Sequence, residues 1–248
     1  MKKYLILSLI TFTQLISANI IMENPQTKNK KALTKSLLHT VEKHKTKIAQ
    51  DLIKKGALAG TSEDIPIDIV KKILEISYKP ECIDIEDLSY LKIVHWGFDN
   101  TLHIGEMIVN KKLADEIIAI FTELLQAKFP IEKIRLIDEY DADDDKSMAD
   151  NNSSALCCRP ITGKKKFSKH SYGIAIDINP IQNPYVKKSK NIVLPPEGKK
   201  YIDRSKTQKG MILKDDPCYT AFTKRGWIWG GDWDPLTRVD YQHFEKDL

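Results

Sequence analysis

A chain of 248 residues with 42% hydrophobic and 29% charged residues can bury a core, which excludes a wholly disordered protein. Its 11 glycines and 11 prolines exclude a collagen-like or low-complexity chain, and its body lacks the run of about 20 apolar residues that a membrane-embedded domain needs. The formal charge of +5 lies in residues 19–80, whereas residues 81–248 are slightly acidic and show no arginine-rich stripe, so we expect no nucleic-acid partner.

Residues 1–18 have the parts of a secretory signal peptide. Lys2 and Lys3 form a positive end, residues 4–16 form an apolar run, and the small residues Ser17 and Ala18 follow. Cleavage after Ala18 and export to the periplasm or cell envelope are expected, which leaves no stable membrane span. The alternative is an uncleaved anchor, although the run is short for a span.

Residues 19–80 are predicted to form a basic helical segment ahead of the main domain. Apolar residues recur near a 3.6-residue spacing over 31–55, which predicts a helix. A second helix is expected after Thr61 or Ser62, and Pro80 ends the segment. The buried face of the second helix is predicted to consist of Ile69, Val70, Ile73 and Leu74.

Residues 81–248 are predicted to form one α+β domain. We expect strands over 91–98, 133–140, 172–179, 227–229 and 241–245, with helices over 110–128 and 219–225. An acidic loop follows residue 140, and the stretch 181–215 is rich in loops and lysines. Because strands and helices are interspersed without regular alternation, the sequence favours an antiparallel sheet with flanking helices.

The four cysteines leave two alternatives open. Cys82, Cys157, Cys158 and Cys218 have no C-x-x-C spacing, which argues against a thiolate zinc site. After export, a disulfide from Cys157 or Cys158 to Cys82 or Cys218 is allowed. Buried free thiols are the other reading.

His170 and Asp177 flank a segment with unusual patterning, SKHSYGIAID over 168–177. Strand alternation places Ala175 and Asp177 on one face and isoleucines on the other. The isoleucine face can pack on a helix, while the face of small residues leaves room for an ion or a substrate. A histidine and an aspartate that converge there are suitable ligands for Zn²⁺.

A second segment, VDYQHFE over 239–245, supplies another histidine and carboxylate. Asp240 and His243 would face opposite ways in a regular strand, so a turn between them is needed to bring both to one side. Three protein ligands with one open position are typical of a catalytic zinc. A carboxylate close to such a site can accept a proton from water. A surface pair without function is the alternative reading.

These segments together resemble the zinc D-Ala-D-Ala metallopeptidases, a family that includes VanY-type carboxypeptidases. SKHSYGIAID is similar to the family signature S-x-H-x-x-G-x-A-x-D, and DYQHFE is similar to its second half. The segments FDNTLHIGEMIVN, LIDEYDADDDKSMADNNSSALCCR and GWIWGGDW also resemble family segments in the same order. The resemblance covers residues 81–248 and leaves the basic helical segment outside.

The resemblance implies a role for each matching residue. His170, Asp177 and His243 would be the zinc ligands, and Asp240 would be the general base. Arg159 would polarise the scissile carbonyl and stabilise the oxyanion. Ser168 would contact the substrate or support the ligands. The tryptophans have two readings: Trp229 and its neighbours Trp227 and Trp233 could wall the substrate cleft, or pack in the core, which we expect for at least two of them.

The implied function is hydrolysis of peptidoglycan stem peptides, in the manner of a D-alanyl-D-alanine carboxypeptidase. The implied fold is shared with lysostaphin-type peptidases and the hedgehog domain. Many carboxypeptidase members carry Glu where this chain has Asp240, and Asp resembles the L-Ala-D-Glu endopeptidase branch. Endopeptidase activity and a non-catalytic envelope-binding protein are therefore the alternatives. The sequence predicts neither the cleaved bond nor the oligomeric state.

Overall fold

The computed structural model describes residues 47, 58–161 and 164–248. The predicted signal peptide and all but Lys47 of the predicted helix over 31–55 lie outside the described residues. The described chain combines helices with mostly antiparallel strands, which is compatible with the predicted α+β class. None of the helices in the described ranges has the length and apolarity to cross a membrane.

Most strands of the described residues belong to three antiparallel sheets. The first orders β1 (Gly60–Glu63), β2 (Leu88–Trp96) and β3 (Leu102–Asn110). The second orders β10 (Val239–Asp240), β7 (Tyr185–Lys187) and β8 (Ile192–Leu194), and the third orders β6 (Ala175–Asp177), β11 (His243–Glu245) and β9 (Ile228–Trp229). A short parallel pair joins β4 (Lys133–Ile134) to β5 (Asn152–Ser153).

Four α-helices in the described ranges flank these sheets: α1 (Ile67–Glu75), α2 (Ala114–Gln126), α3 (Asp144–Ala149) and α4 (Pro217–Thr223). The apolar face of α2 carries Ile117, Phe121 and Leu124, which pack with the isoleucines of the 174–178 segment in the main core. Removing this apolar surface from water is the main favourable term in holding α2 against the sheets. The third sheet, which positions the candidate site, therefore packs on the main core together with α2.

Several elements differ from those predicted. Residues 102–110 were not predicted to form a strand. In the structure they form β3, which pairs with β2 along its whole length. The predicted strand over 133–140 is limited to β4, followed by a 3₁₀ turn over Ile137–Tyr140. The acidic loop contains α3, because Asp143 caps it by accepting a hydrogen bond from the Lys146 backbone N–H at 3.0 Å.

The first sheet begins before the predicted boundary at residue 81. β1 pairs antiparallel with β2, with Gly60 opposite Ile93 and Glu63 opposite Tyr90. In the predicted second helix, now α1, Ile73 is fully buried, but Leu74 is 53% exposed. β1 therefore adds a strand to the first sheet, although it lies ahead of the predicted domain boundary. Only part of the predicted apolar face of α1 is buried.

A disulfide joins Cys82 to Cys158 across a sequence separation of 76 residues. Cys157 and Cys218 are free thiols, and both are buried. Both readings of the cysteines are thus found in the same chain. The bond ties the segment after α1 to the residue directly before Arg159.

Candidate metal centre

Two antiparallel strands place Asp177 opposite His243. β6 and β11 pair so that His243 lies across from Asp177 and Phe244 lies across from Ile176. Directly opposed residues project from the same face of a sheet, which brings two side chains 66 positions apart into contact. On the other face, Ile176 and Phe244 are fully buried in the core.

A short 3₁₀ turn, Lys169–Tyr172, delivers His170 to the same place. Ser168 begins the turn, and its Oγ accepts a hydrogen bond from the His170 backbone N–H at 3.4 Å. Gly173 ends the turn with φ of +63°, where a Cβ would lie 2.5 Å from the backbone nitrogen of Asn110. A glycine is required here by both conformation and space, and the tight turn folds His170 back over β6.

The three side chains form a compact donor set. His170 Nε2 lies 3.2 Å from Asp177 Oδ2, and His243 Nδ1 lies 3.0 Å from Asp177 Oδ1. The two imidazole nitrogens are 3.2 Å apart. Ligand bonds of 2.0–2.1 Å at tetrahedral angles separate donor atoms by about 3.3 Å. The spacing therefore fits a metal ion of the size of zinc, and these residues form a candidate metal group.

The outer ring nitrogens are engaged by groups outside the donor set. His170 Nδ1 donates to the backbone carbonyl of Ala155 at 2.7 Å, and His243 Nε2 donates to Glu245 at 3.0 Å. When the imidazole is neutral, each bond leaves the inner nitrogen with a lone pair that can bind a cation. Two imidazole nitrogens only 3.2 Å apart need a proton or a metal ion between them, so the donor set fits a metal ion.

The electrostatics of the centre favour a positive charge. Burial alone would raise the pKa of Asp177, but the nearby His170 and His243 hold that pKa well below its usual range. Burial alone would lower the pKa of His243, but hydrogen bonds to Asp177 and Glu245 raise it. His170 and His243 are only 4% and 6% exposed. Carboxylates that favour a protonated imidazole also favour a divalent cation in place of the proton.

Asp240 lies close to this centre on β10 (Val239–Asp240), and a turn separates β10 from β11. Burial raises the pKa of Asp240 to about 6, while the charges of His243 and His170 act to lower it. Its Oδ1 is buried without a hydrogen-bond partner among the described residues. An orphaned carboxylate oxygen near the donor set is well suited to accept a hydrogen bond from water.

Arg159 lies within electrostatic reach of Asp177 in the donor set. Its guanidinium forms an ion pair with Asp144 of α3, and the charge of Asp177 also acts to raise its pKa. Its backbone N–H donates to the buried Ser171 Oγ at 3.0 Å. A second backbone link runs from the N–H of Ser168 to the carbonyl of Arg159 at 3.0 Å. Ser168 therefore supports the turn that carries His170 and the segment that carries Arg159.

The tryptophans divide between core and site. Trp229, predicted as a substrate contact, is only 5% exposed and donates its indole N–H to the Tyr241 carbonyl at 2.8 Å. This placement does not suit a substrate contact, because its ring packs in the main core. Trp227 is also in the core. Trp233 instead lies 5.6 Å from His243 between ring centroids and is half-buried.

Three contributors to the site were not predicted: Asp144, Ser171 and Glu245. Glu245 was within reach of sequence reasoning, because in a strand it shares a face with His243 two residues earlier. Asp144 carried no usable signal, since it is one of several aspartates in an acidic stretch. Ser171 lies within segment 168–177, which resembles the family signature, but no role was predicted for it.

One comparison with known proteins gave a match. Residues 162–246 match a family model described as D-alanyl-D-alanine carboxypeptidase. The matched range contains His170, Asp177, Asp240 and His243, whereas Arg159 and Asp144 lie ahead of it. Neither the search of curated proteins nor the search of solved structures returned a match.

Proposed function

We propose that this chain is a zinc peptidase that hydrolyses the stem peptides of peptidoglycan, because residues 162–246 match a family model described as D-alanyl-D-alanine carboxypeptidase. The observation that carries the proposal is the compact donor set of His170, Asp177 and His243, which lies inside the matched segment. Two imidazoles and one carboxylate leave a fourth tetrahedral position for water or substrate.

In this proposal His170 Nε2, an Asp177 carboxylate oxygen and His243 Nδ1 hold the ion. When bound, a zinc ion supplies a Lewis acid that polarises a carbonyl oxygen and makes water more acidic. Ala155 and Glu245 keep the two imidazoles in the tautomers that binding requires. Trp233 flanks His243 and excludes water from one side of the centre.

Asp240 then takes the proton of the attacking water. Its pKa of about 6 leaves it ionised at neutral pH yet more basic than an ordinary aspartate, which suits a general base. Arg159 presents a permanent positive charge to the oxygen of the scissile carbonyl as negative charge develops there. The charge of Asp177 affects the pKa of both Asp240 and Arg159, so both side chains lie within electrostatic reach of the donor set.

The cleaved bond has two candidates. The family model's description favours carboxypeptidase action on a terminal D-alanine. The shorter side chain of Asp240, where many carboxypeptidase relatives carry Glu, favours an L-alanyl-D-glutamate endopeptidase instead. Of these two activities, we propose that of the D-alanyl-D-alanine carboxypeptidase first. We also propose that the domain has the fold shared by lysostaphin-type peptidases and hedgehog domains.

The proposal includes export to the periplasm or cell envelope after loss of residues 1–18. Residues 81–248 would then form the peptidase domain, joined by β1 from the segment 19–80. The proposed partner is the peptidoglycan stem peptide, which lies in the compartment where a Cys82–Cys158 disulfide is also stable.

The test is mass spectrometry of purified muropeptides incubated with the zinc-loaded mature protein. Release of a single alanine indicates the carboxypeptidase, and loss of the stem beyond its first residue indicates the endopeptidase. Asp240→Ala is expected to retain zinc and lose turnover by roughly 100-fold or more, while Asp87→Asn, an exposed carboxylate on a remote turn, is expected to match the wild type. A zinc-loaded wild type that leaves all muropeptides intact would favour a non-catalytic envelope-binding protein.

A further inference from the structure

An ion pair between α3 and the segment after the disulfide lies beside the metal centre. Asp144 Oδ2 contacts Arg159 Nε, and both side chains are partly shielded from solvent. Burial raises the pKa of Asp144, whereas Arg159 and His170 act to lower it, so the carboxylate lies within electrostatic reach of the centre. The buried Cys157 thiol lies within hydrogen-bonding reach of both Asp144 and Arg159.

The helix that carries Asp144 is anchored at several points. The buried Asn152 Nδ2 donates to Ser147 Oγ at 3.0 Å, which ties α3 to β5. Gln242, next to the ligand His243, donates to the sulfur of Met148 at 3.5 Å. α3 is therefore fixed to the same framework that holds the donor set, and the position of Asp144 is set by that framework.

The backbone of Arg159 is fixed independently of Asp144. Ser171 binds both its N–H and its carbonyl, at 3.0 and 2.9 Å, and the preceding Cys158 is held by the disulfide. The long side chain has four rotatable bonds beyond this anchor. Among the described residues, the ion pair with Asp144 lies on the Nε side of the guanidinium, and the buried Cys157 side chain also hydrogen-bonds to Arg159.

We propose that Asp144 is the positioning residue of Arg159: it holds the guanidinium by its Nε side and leaves the terminal nitrogens directed at the carbonyl of the bound peptide. This inference rests on the proposed function, because it gives Arg159 a reaction to serve. A fixed guanidinium stabilises a developing oxyanion without reorganising at the moment of reaction, whereas a mobile one must be ordered first.

Two other readings make different predictions. If Asp144 were a fourth metal ligand, its loss would lower zinc content; the three-residue donor set does not include it. If the pair were a surface ion pair of little consequence, like Lys146 with Asp141 at 3.5 Å, its loss would change nothing. The positioning role instead predicts slower turnover with zinc retained.

The experiment compares Asp144→Asn with Asp145→Asn in the mature, zinc-loaded protein. Asp145 is the matched control, because it is the next residue of α3 and is exposed. For Asp144→Asn we expect kcat on purified muropeptides to fall by roughly 10- to 100-fold, with KM little changed and one zinc per chain retained. Asp145→Asn is expected to match the wild type in all three quantities.

A double variant separates action through Arg159 from other effects. If Asp144 acts through the guanidinium, Asp144→Asn in combination with Arg159→Lys will be no slower than Arg159→Lys alone. Multiplicative losses in the double variant would overturn the positioning role. Asp144→Glu, which keeps the charge, is expected to recover part of the lost kcat.

An NMR readout does not depend on activity. The Nε–H resonance of Arg159, assigned by its loss in Arg159→Lys, is expected to shift in Asp144→Asn and to stay in place in Asp145→Asn. An unchanged resonance, an unchanged kcat or a loss of zinc in Asp144→Asn would each overturn the inference. A zinc-loaded wild type that hydrolyses no muropeptide would instead overturn the proposed function, so the two failures are distinguishable.

Discussion

At the scale of single residues, the centre depends on which nitrogen each imidazole presents. His170 uses Nε2 because Ala155 engages Nδ1, whereas His243 uses Nδ1 because Glu245 engages Nε2. The two rings can thus approach from different elements and still direct lone pairs at one point. The contacts that set the tautomers are as necessary to the site as the donor atoms themselves.

The buried His95 is expected to make the stability of the protein depend on pH. Burial and the neighbouring His103 lower the pKa of His95 to about 3, against an ordinary value near 6.5, so the unfolded chain binds the proton more readily between these values. The contribution of His95 to the free energy of unfolding should therefore be fully present above pH 6.5 and fall as the pH drops toward 3, by up to about 1.4 kcal/mol per pH unit.

His95→Gln removes this contribution. Urea unfolding of the wild type and of His95→Gln at pH 7 and at pH 4.5 measures it as the difference between their two pH dependences. We expect the wild type to lose more stability on acidification than the variant. Equal losses in both proteins would show that His95 does not titrate as its burial requires.

At the scale of elements, the approach of Asp240 to the centre depends on the 3₁₀ turn Gly230–Asp232. A Cβ at Gly230 would lie 2.5 Å from the carbonyl oxygen and 2.9 Å from the Cβ of Asp240. The turn and β10 can therefore be this close only because residue 230 has no side chain. This close approach fixes the position of Asp240 against the turn.

Gly230→Ala is expected to displace Asp240 and lower kcat by roughly 10-fold or more, while zinc binding is retained because the ligand strands are untouched. The matched control is Gly60→Ala, which creates a similar overlap at 2.7 Å from the Lys92 carbonyl in the first sheet. The control should lose stability without a change in kcat at a temperature where it is folded. A Gly230→Ala enzyme with wild-type kcat would refute this account of the turn.

Local pattern accounts well for some elements and poorly for others. The spacing of apolar residues predicted α2, whose buried face is a single stripe. It also predicted which face of the 174–178 segment enters the core, because the isoleucines alternate. It missed α3, where no apolar stripe exists and a side-chain cap with one buried serine defines the helix.

At the scale of the whole molecule, the disulfide connects the region around α1 to the segment that carries Arg159. Cys82 lies after α1, and Cys158 directly precedes Arg159. A cross-link over a sequence separation of 76 residues strongly restricts the unfolded chain. It also fixes one end of the segment whose other contacts are to Ser171 and Asp144.

Replacing Cys82 by alanine is expected to lower the free energy of unfolding by about 2–4 kcal/mol. The double variant Cys82→Ala/Cys158→Ala should lose a similar amount, because the second substitution removes a bond that is already absent. Urea unfolding under non-reducing conditions measures both. An unchanged urea midpoint in the single variant would show that the bond does not form in the protein.

The site required information that local pattern does not contain. Donor atoms from positions 170, 177 and 243 meet because β6 and β11 pair in one register, and pairing between strands 66 residues apart leaves no periodic signal. Spacing alone therefore left a surface pair as an alternative for Asp240 and His243, and the family resemblance identified the set. The same limit explains why Trp229 was assigned to the substrate and is in the core.

We propose that His170, Asp177 and His243 together bind one zinc ion. The most direct measurement is the metal content of the purified mature protein after equilibration with zinc and removal of excess metal. We predict one zinc per chain for the wild type and for the control His103→Ala, whose imidazole contacts Asp99 away from the centre, and far less than one for His170→Ala. A full equivalent of zinc in His170→Ala would contradict the claim.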